Sequence, residues 1–179
     1  ILASDKPITP SNARTKNIHH DTFGSRMSEA LKACSSTCVL IILDDYYLHS
    51  VNVKQFQTAL ELFQKMSPDA IKLFKSHSAR IEILLPNYCG FGKLGNTGLG
   101  FLDTHPTLYN VDKLKQVVDE SETLWEHEIN HASRCMIKGW SVLATTQNII
   151  KYSEIVKGGK LWFSCRNFHE KTKLQVMPL

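Results

Sequence analysis

Leu124-Trp125-Glu126-His127-Glu128-Ile129-Asn130-His131-Ala132-Ser133 is the stretch on which the reading of this chain turns. Residues four apart in an α-helix lie one turn apart on the same face, so His127 and His131 can aim their imidazoles at one point. Glu128 sits on the edge of that face. Leu114, Val117, Val118, Leu124, Trp125, Ile129, Ala132 and Met136 follow a helical repeat, with Asn110 or Asp112 as an N-cap and Gly139 as a stop. The repeat predicts a helix that is secure over 122–138 and breaks near Ser121. Asp119, Glu120, Glu122 and Glu126 are expected in solvent, and Trp125 and Ile129 on the apolar side.

The spacing is the HExxH arrangement, and each residue type in it answers a chemical need. Neutral imidazoles suit a borderline-soft cation such as Zn2+, the expected cofactor. An ionised carboxylate beside them can take a proton from a metal-held water as it attacks a carbonyl, then pass it to the leaving amine. His127 and His131 are therefore the expected ligands and Glu128 the expected general base. A structural or vestigial site, or a polar stripe on an ordinary helix, is the competing reading; a purely structural site has no need of Glu128.

Working outward, the 179 residues are 42% hydrophobic and 21% charged, as in ordinary globular chains, and suffice for one domain with a sizeable core. Residues 1–20, with two prolines and little apolar pattern, read as an extended or partly disordered arm, and 21–179 as a single domain. No apolar run approaches the roughly 18 residues of a membrane span. The net charge of +4 is spread without aromatic interleaving, so no nucleic-acid groove is expected. Five cysteines without a CxxC pair argue for reduced thiols rather than a disulfide scaffold. No signal-like segment opens the sequence.

Helices are predicted at Ser25–Ala33 and about 53–66, and a short one over Ala70–Lys75 after the Ser67-Pro68-Asp69 start signal. Cys38–Leu43 reads as a central strand and Arg80–Leu85 as another, with strand-like pieces at Leu99–Asp103 and Thr107–Val111. Five of the nine glycines fall in 90–100. Lys93 is followed there by Leu94 where a phosphate loop needs Ser or Thr, so a turn between strands is expected. A role for this stretch in specificity is left open. Asp44-Asp45-Tyr46-Tyr47 is read as a strand end that carries polar residues for solubility, and His19-His20 as unstructured.

Strand 80–85, the strand pieces over 99–111 and the helix bearing HExxHA together resemble the core of zincin metalloproteases, over about a third of the chain. The short spacing is similar to that of the small zinc metalloprotease effectors that pathogenic bacteria inject into host cells. The resemblance implies an α+β, zincin-like fold in which a small mixed sheet packs on helices. It implies a zinc endopeptidase acting on a protein or peptide substrate, in the cytosol or, for an effector, inside the host cell. It also implies that Leu99–Asp103 or Thr107–Val111 receives the substrate backbone as an added strand.

Departures from the pattern narrow the third ligand. Arg134 and Ile137 stand where metzincins need Gly and His, and no aspartate follows His131. Glu154 remains, in an apparent second helix (Val142, Ile149, Ile150, Ile155), as in gluzincins; pairing with Lys151 or Lys157 is its ordinary alternative. His169, Asp103 and His105 stay open as ligands. Tyr152 as an oxyanion donor is disfavoured, since i,i+2 residues diverge on a helix. Cys89 raises a deformylase-like amidohydrolase, although Asn87-Tyr88-Cys89-Gly90 lacks that family's Glu-Gly before Cys. The remaining class is a non-catalytic protein-binding module.

Overall fold

Adjacent residues of the short strands point to opposite faces of one sheet, and both faces are covered. The computed structural model describes residues 2–4, 15–17, 21–43, 46–75, 80–95, 101–154, 156–157 and 160–161, with side chains over 21–43, 46–75, 80–95 and 101–153. The elements in chain order are β1 (Leu2–Ser4), β2 (Thr15–Asn17), α1 (Phe23–Lys32), β3 (Cys38–Ile41), β4 (Tyr46–Val51), α2 (Val53–Met66), β5 (Ala70–Lys72) and β6 (Ile81–Leu84). There follow β7 (Phe91–Leu94), β8 (Thr107–Asn110), α3 (Val111–Lys115), α4 (Leu124–Ile137), β9 (Val142–Thr145), β10 (Ile150–Glu154), β11 (Val156–Lys157) and β12 (Lys160–Leu161). The fold is mixed α+β: a six-stranded mixed sheet, order β3-β8-β5-β9-β7-β6, with four helices among the described residues.

Strand alternation divides the core in two. Ala70, Tyr109, Val142, Ala144 and Leu94 turn to the face covered by Leu31 of α1, Leu114 of α3 and Cys135 of α4. Ile71, Leu108, Leu143 and Phe91 turn to the opposite face, against Ala59, Leu62 and Phe63 of α2. Leu62 is wholly buried there, which contributes about 1.5–3 kcal/mol. Beside the sheet, β4 and β10 form an antiparallel ribbon, while β1 with β2 and β11 with β12 make separate two-stranded pairs.

Several sequence expectations are corrected. The residues after Pro68 form β5 rather than a helix. α2 stops at left-handed Ser67 (φ 46), and Ala70–Lys72 is paired on both sides, antiparallel to β8 and parallel to β9, so ladder hydrogen bonds outweigh a local start signal. Cys38–Ile41 is a strand but an edge one, paired with β8 alone among the described residues. Phe91–Leu94, read as part of a glycine-rich turn, is strand β7; Gly92 lies so close to Ile81 and Ile83 of β6 that a Cβ would not fit. Residues 96–100 are outside the described residues. Val142–Thr145 and Ile150–Glu154 are strands, not one helix. Phe101 and Leu102 are buried but not in a strand.

Candidate functional site

Thr123 fixes where α4 begins. Its hydroxyl accepts from the Glu126 backbone N–H, and the Glu126 carboxylate accepts from the Thr123 N–H at 2.8 Å, a reciprocal capping box. The chain breaks between α3 and α4, as the sequence suggests, and Gly139 ends α4 at φ 66. Which way the helix faces is the surprise. His127, His131 and Cys135, spaced i, i+4, i+8, are its buried residues, while Trp125 is 71% and Ile129 73% exposed. Trp125 and Ile129 lie in solvent and the histidines inside, the reverse of the expectation for those two residues, while Ala132 and Met136 do pack on the core.

A polar network compensates that burial. Glu122, expected in solvent, is buried and grips Arg134: Nη1 and Nη2 each donate to it at 2.6 Å, and Arg134 Nε donates to the Val117 carbonyl at 2.6 Å. Asn130 Nδ2 donates to the same carboxylate at 2.9 Å. Hydrogen bonds from Arg134 hold the Glu122 carboxyl down at about 2 against the opposing effect of burial. The other side of this carboxylate meets His127, whose Nδ1 lies 3.4 Å from Oε2. That Nδ1 is buried without an aligned hydrogen-bond partner.

The two imidazoles stack, centroids 4.6 Å apart and planes 23° apart. Phe23 packs on His127 at 5.0 Å, and Tyr109 and Trp140 meet His131 edge-on at 5.7 and 6.0 Å. Burial disfavours the charged form of both rings. It lowers His127, with Glu122 pulling partly the other way, and takes His131 down to about 3, helped by the neighbouring His127. Both are neutral at pH 7. Burial also pushes the Cys135 thiol, 3.7 Å from His131 Nε2, up to about 12, so it is no thiolate.

These rings open on a cleft lined by His127, Glu128 and His131 on one helix and by Asp103, Thr104 and His105 on the loop before β8. Ile41 of β3 and Leu43 beyond it complete a wall. Thr104 Oγ1 donates to Glu128 at 2.9 Å. Asp103 and His105, usually solvent-facing types in a turn, are here tied inward: Asp103 accepts from Lys72 Nζ at 2.8 Å and lies 2.9 Å from His105 Nδ1.

No known protein family and no curated protein matches the chain.

Among the described residues, no three His, Cys, Asp or Glu side chains come together as the ligands of one ion. The donor set at α4 fits zinc in kind, since two neutral buried nitrogens stand beside a carboxylate, but it supplies only two ligands. Glu154 lies in β10 opposite Tyr46, not on a helix, and its side chain is outside the described residues, as is His169. The helical angle between Tyr152 and Glu154 therefore does not apply. Cys89 is exposed in the turn between β6 and β7 and is not part of the cleft wall. Asp44 and Asp45 also lie outside the described residues. Sequence reasoning missed Glu122 and Arg134; their twelve-residue separation across the histidines, matched to the buried i, i+4, i+8 face, was the available signal.

Proposed function

We propose that this cleft is the active site of a zinc-dependent endopeptidase acting on a protein substrate. The observation that carries the reading is the gathering of His127, Glu128 and His131 in one cleft, the imidazoles buried and neutral and the half-buried carboxylate on the same wall. Neutral rings offer lone pairs without first losing a proton. The Glu122 carboxylate, 3.4 Å from His127 Nδ1, lies within reach of the outer-partner role that orients a ligating histidine. His127 and His131 would hold a zinc ion, which would supply Lewis-acid polarisation of a water and a carbonyl. Glu128 would accept the proton of the attacking water and deliver it to the leaving amine, with Thr104 Oγ1 donating to its carboxylate.

The substrate strand needs a free edge. Thr107–Val111, an expected receiver, holds β8 (Thr107–Asn110), which lies between β3 and β5 with both edges used, and the Leu99–Asp103 segment forms no strand over 101–103. Among the described residues β3 is the edge strand beside the cleft, through Ile41, and an extended peptide would add there. Delivery of the protein into a host cell as a bacterial effector belongs to the same reading. No helix among the described residues is long and apolar enough to cross a membrane.

A second reading, a protein-binding module without catalysis, is favoured by one observation: the described residues supply two ligands rather than three. The test is cleavage of a reduced, carboxymethylated polypeptide by the zinc-reconstituted protein, with Glu128→Gln beside it. Cleavage by the wild type alone supports the peptidase; equal fragments from both proteins, or none from either, refute it.

A further inference from the structure

The outward side of α4 carries a ridge of side chains that the fold itself leaves uncovered. Trp125, Ile129, Ser133 and Ile137 follow one another at intervals of four, so they line up along the helix over about 18 Å. Ile137 is 85% exposed, more than Trp125 or Ile129, and Ser133 is exposed between them. Ala132 and Met136, beside this ridge, pack on the core, whereas none of the three large ridge residues joins a core cluster of the described residues. Single exposed apolar residues are ordinary. Three on one ridge make a patch on the order of 400–500 Å², the size at which a surface marks an interaction site.

We propose that this ridge is the interface of a symmetric dimer, with a second copy of the chain as its occupant. A two-fold contact needs a surface complementary to itself, so that residue i meets j and j meets i. The ridge has that property when two α4 helices run antiparallel about His131. Trp125 then meets Ile137 of the second copy, and Ile129 fills the dip at its Ser133. Charge agrees in the same register. Glu126 follows Trp125 and Lys138 follows Ile137, both exposed and both on one side of the ridge, so at each end the acid of one copy comes beside the ammonium of the other. Antiparallel helices also oppose their macrodipoles favourably. Ridges of four-residue spacing interlock at about 50°, so the two helices cross rather than lie side by side. A second copy thus answers the apolar ridge and its flanking charges together. His127 and His131 face inward, away from this contact. The interface covers roughly 1,000 Å² over both copies, the low end for specific association, so the dimer is weak and unfolding at a few micromolar reads the monomer.

The experiment is sedimentation equilibrium of the full chain from about 5 µM to about 1 mM. The wild type is expected to dimerise with a Kd on the order of 100 µM. Ile129→Lys, a good helix former that places a charge at the centre of the contact, should raise the Kd at least tenfold. Lys138→Glu, which sets an acid against Glu126 of the second copy, should raise it about threefold, less so in high salt. Circular dichroism and the urea midpoint at about 5 µM should be nearly unchanged in both variants, which separates lost association from lost folding. The register is read by cross-linking in a Cys89→Ser background. Under mild oxidation, Ile129→Cys and Ser133→Cys chains mixed together should form the 129–133 disulfide, identified by mass spectrometry, in higher yield than either chain cross-links alone. A wild type that stays monomeric at about 1 mM overturns the proposal and leaves the ridge to a different protein. A dimer unaltered by Ile129→Lys, or a mixture that cross-links no better than its components, overturns it as well.

Discussion

Replacing Glu122 with Gln should destabilise the protein by about 3 kcal/mol at neutral pH, and the loss should vanish in acid. Glu122 is 7% exposed at its side chain and takes both Arg134 donors at 2.6 Å, so the ionised form is strongly preferred in the fold. Its carboxyl falls from an ordinary 4.5 to about 2. That drop, at about 1.4 kcal/mol for each tenfold change in proton affinity, sets a ceiling of about 3.5 kcal/mol, and the expected loss of about 3 kcal/mol lies below it because the Gln oxygen still accepts one hydrogen bond. A depressed folded-state value contributes stability that is fully present above 4.5 and is lost as pH falls from about 5 to about 2. Urea unfolding of wild type and Glu122→Gln at successive pH values measures the difference directly, and subtraction removes the acid sensitivity that other carboxylates contribute. The curves should converge near pH 2. A difference independent of pH, or none at pH 7, would refute the claim that this charge holds α4 against the loop before it.

Thr123→Ala removes one half of the capping box and should lower the urea midpoint by an amount equivalent to about 1 kcal/mol, read with unchanged m-value. Ile129→Ser and Trp125→Ser, on the exposed face of α4, should each change stability by no more than about 0.5 kcal/mol; a loss of 2 kcal/mol in thermal unfolding would mean that these side chains are packed. His127 and His131 are held neutral by burial, so the unfolded chain binds their protons first, and wild-type stability should fall as pH drops below about 6.5. His131→Leu should flatten part of that slope in the same unfolding series. Gly24→Ala drives a methyl into the Asp119 carbonyl and should cost several kcal/mol in thermal unfolding or prevent folding.

Long periodic segments were legible because many residues vote for them. α1, α2 and α4 emerge near their predicted bounds, as do β6 and β8, and Gly139 stops α4 as expected. Three-residue β5 carries too little pattern to compete with the Ser-Pro-Asp signal before it; only its partners on both sides make it a strand. Val142, Ile149 and Ile150 match a helical repeat by coincidence, since a turn separates β9 from β10. The candidate ligands and base were legible from spacing alone, but the direction of α4 was not. Apolar patterning places Trp125 and Ile129 inward, whereas tertiary pairing of Glu122 with Arg134 makes the histidine face the one that is buried. Lys72 reaches Asp103 across 31 residues of sequence, so no local pattern could have announced that pair.

The most direct measurement is zinc content by elemental analysis after reconstitution and dialysis, on wild type, His131→Ala and Glu128→Gln. The account predicts about one zinc per chain in wild type and Glu128→Gln, and little in His131→Ala. Wild type without zinc, or His131→Ala retaining as much as wild type, would contradict it.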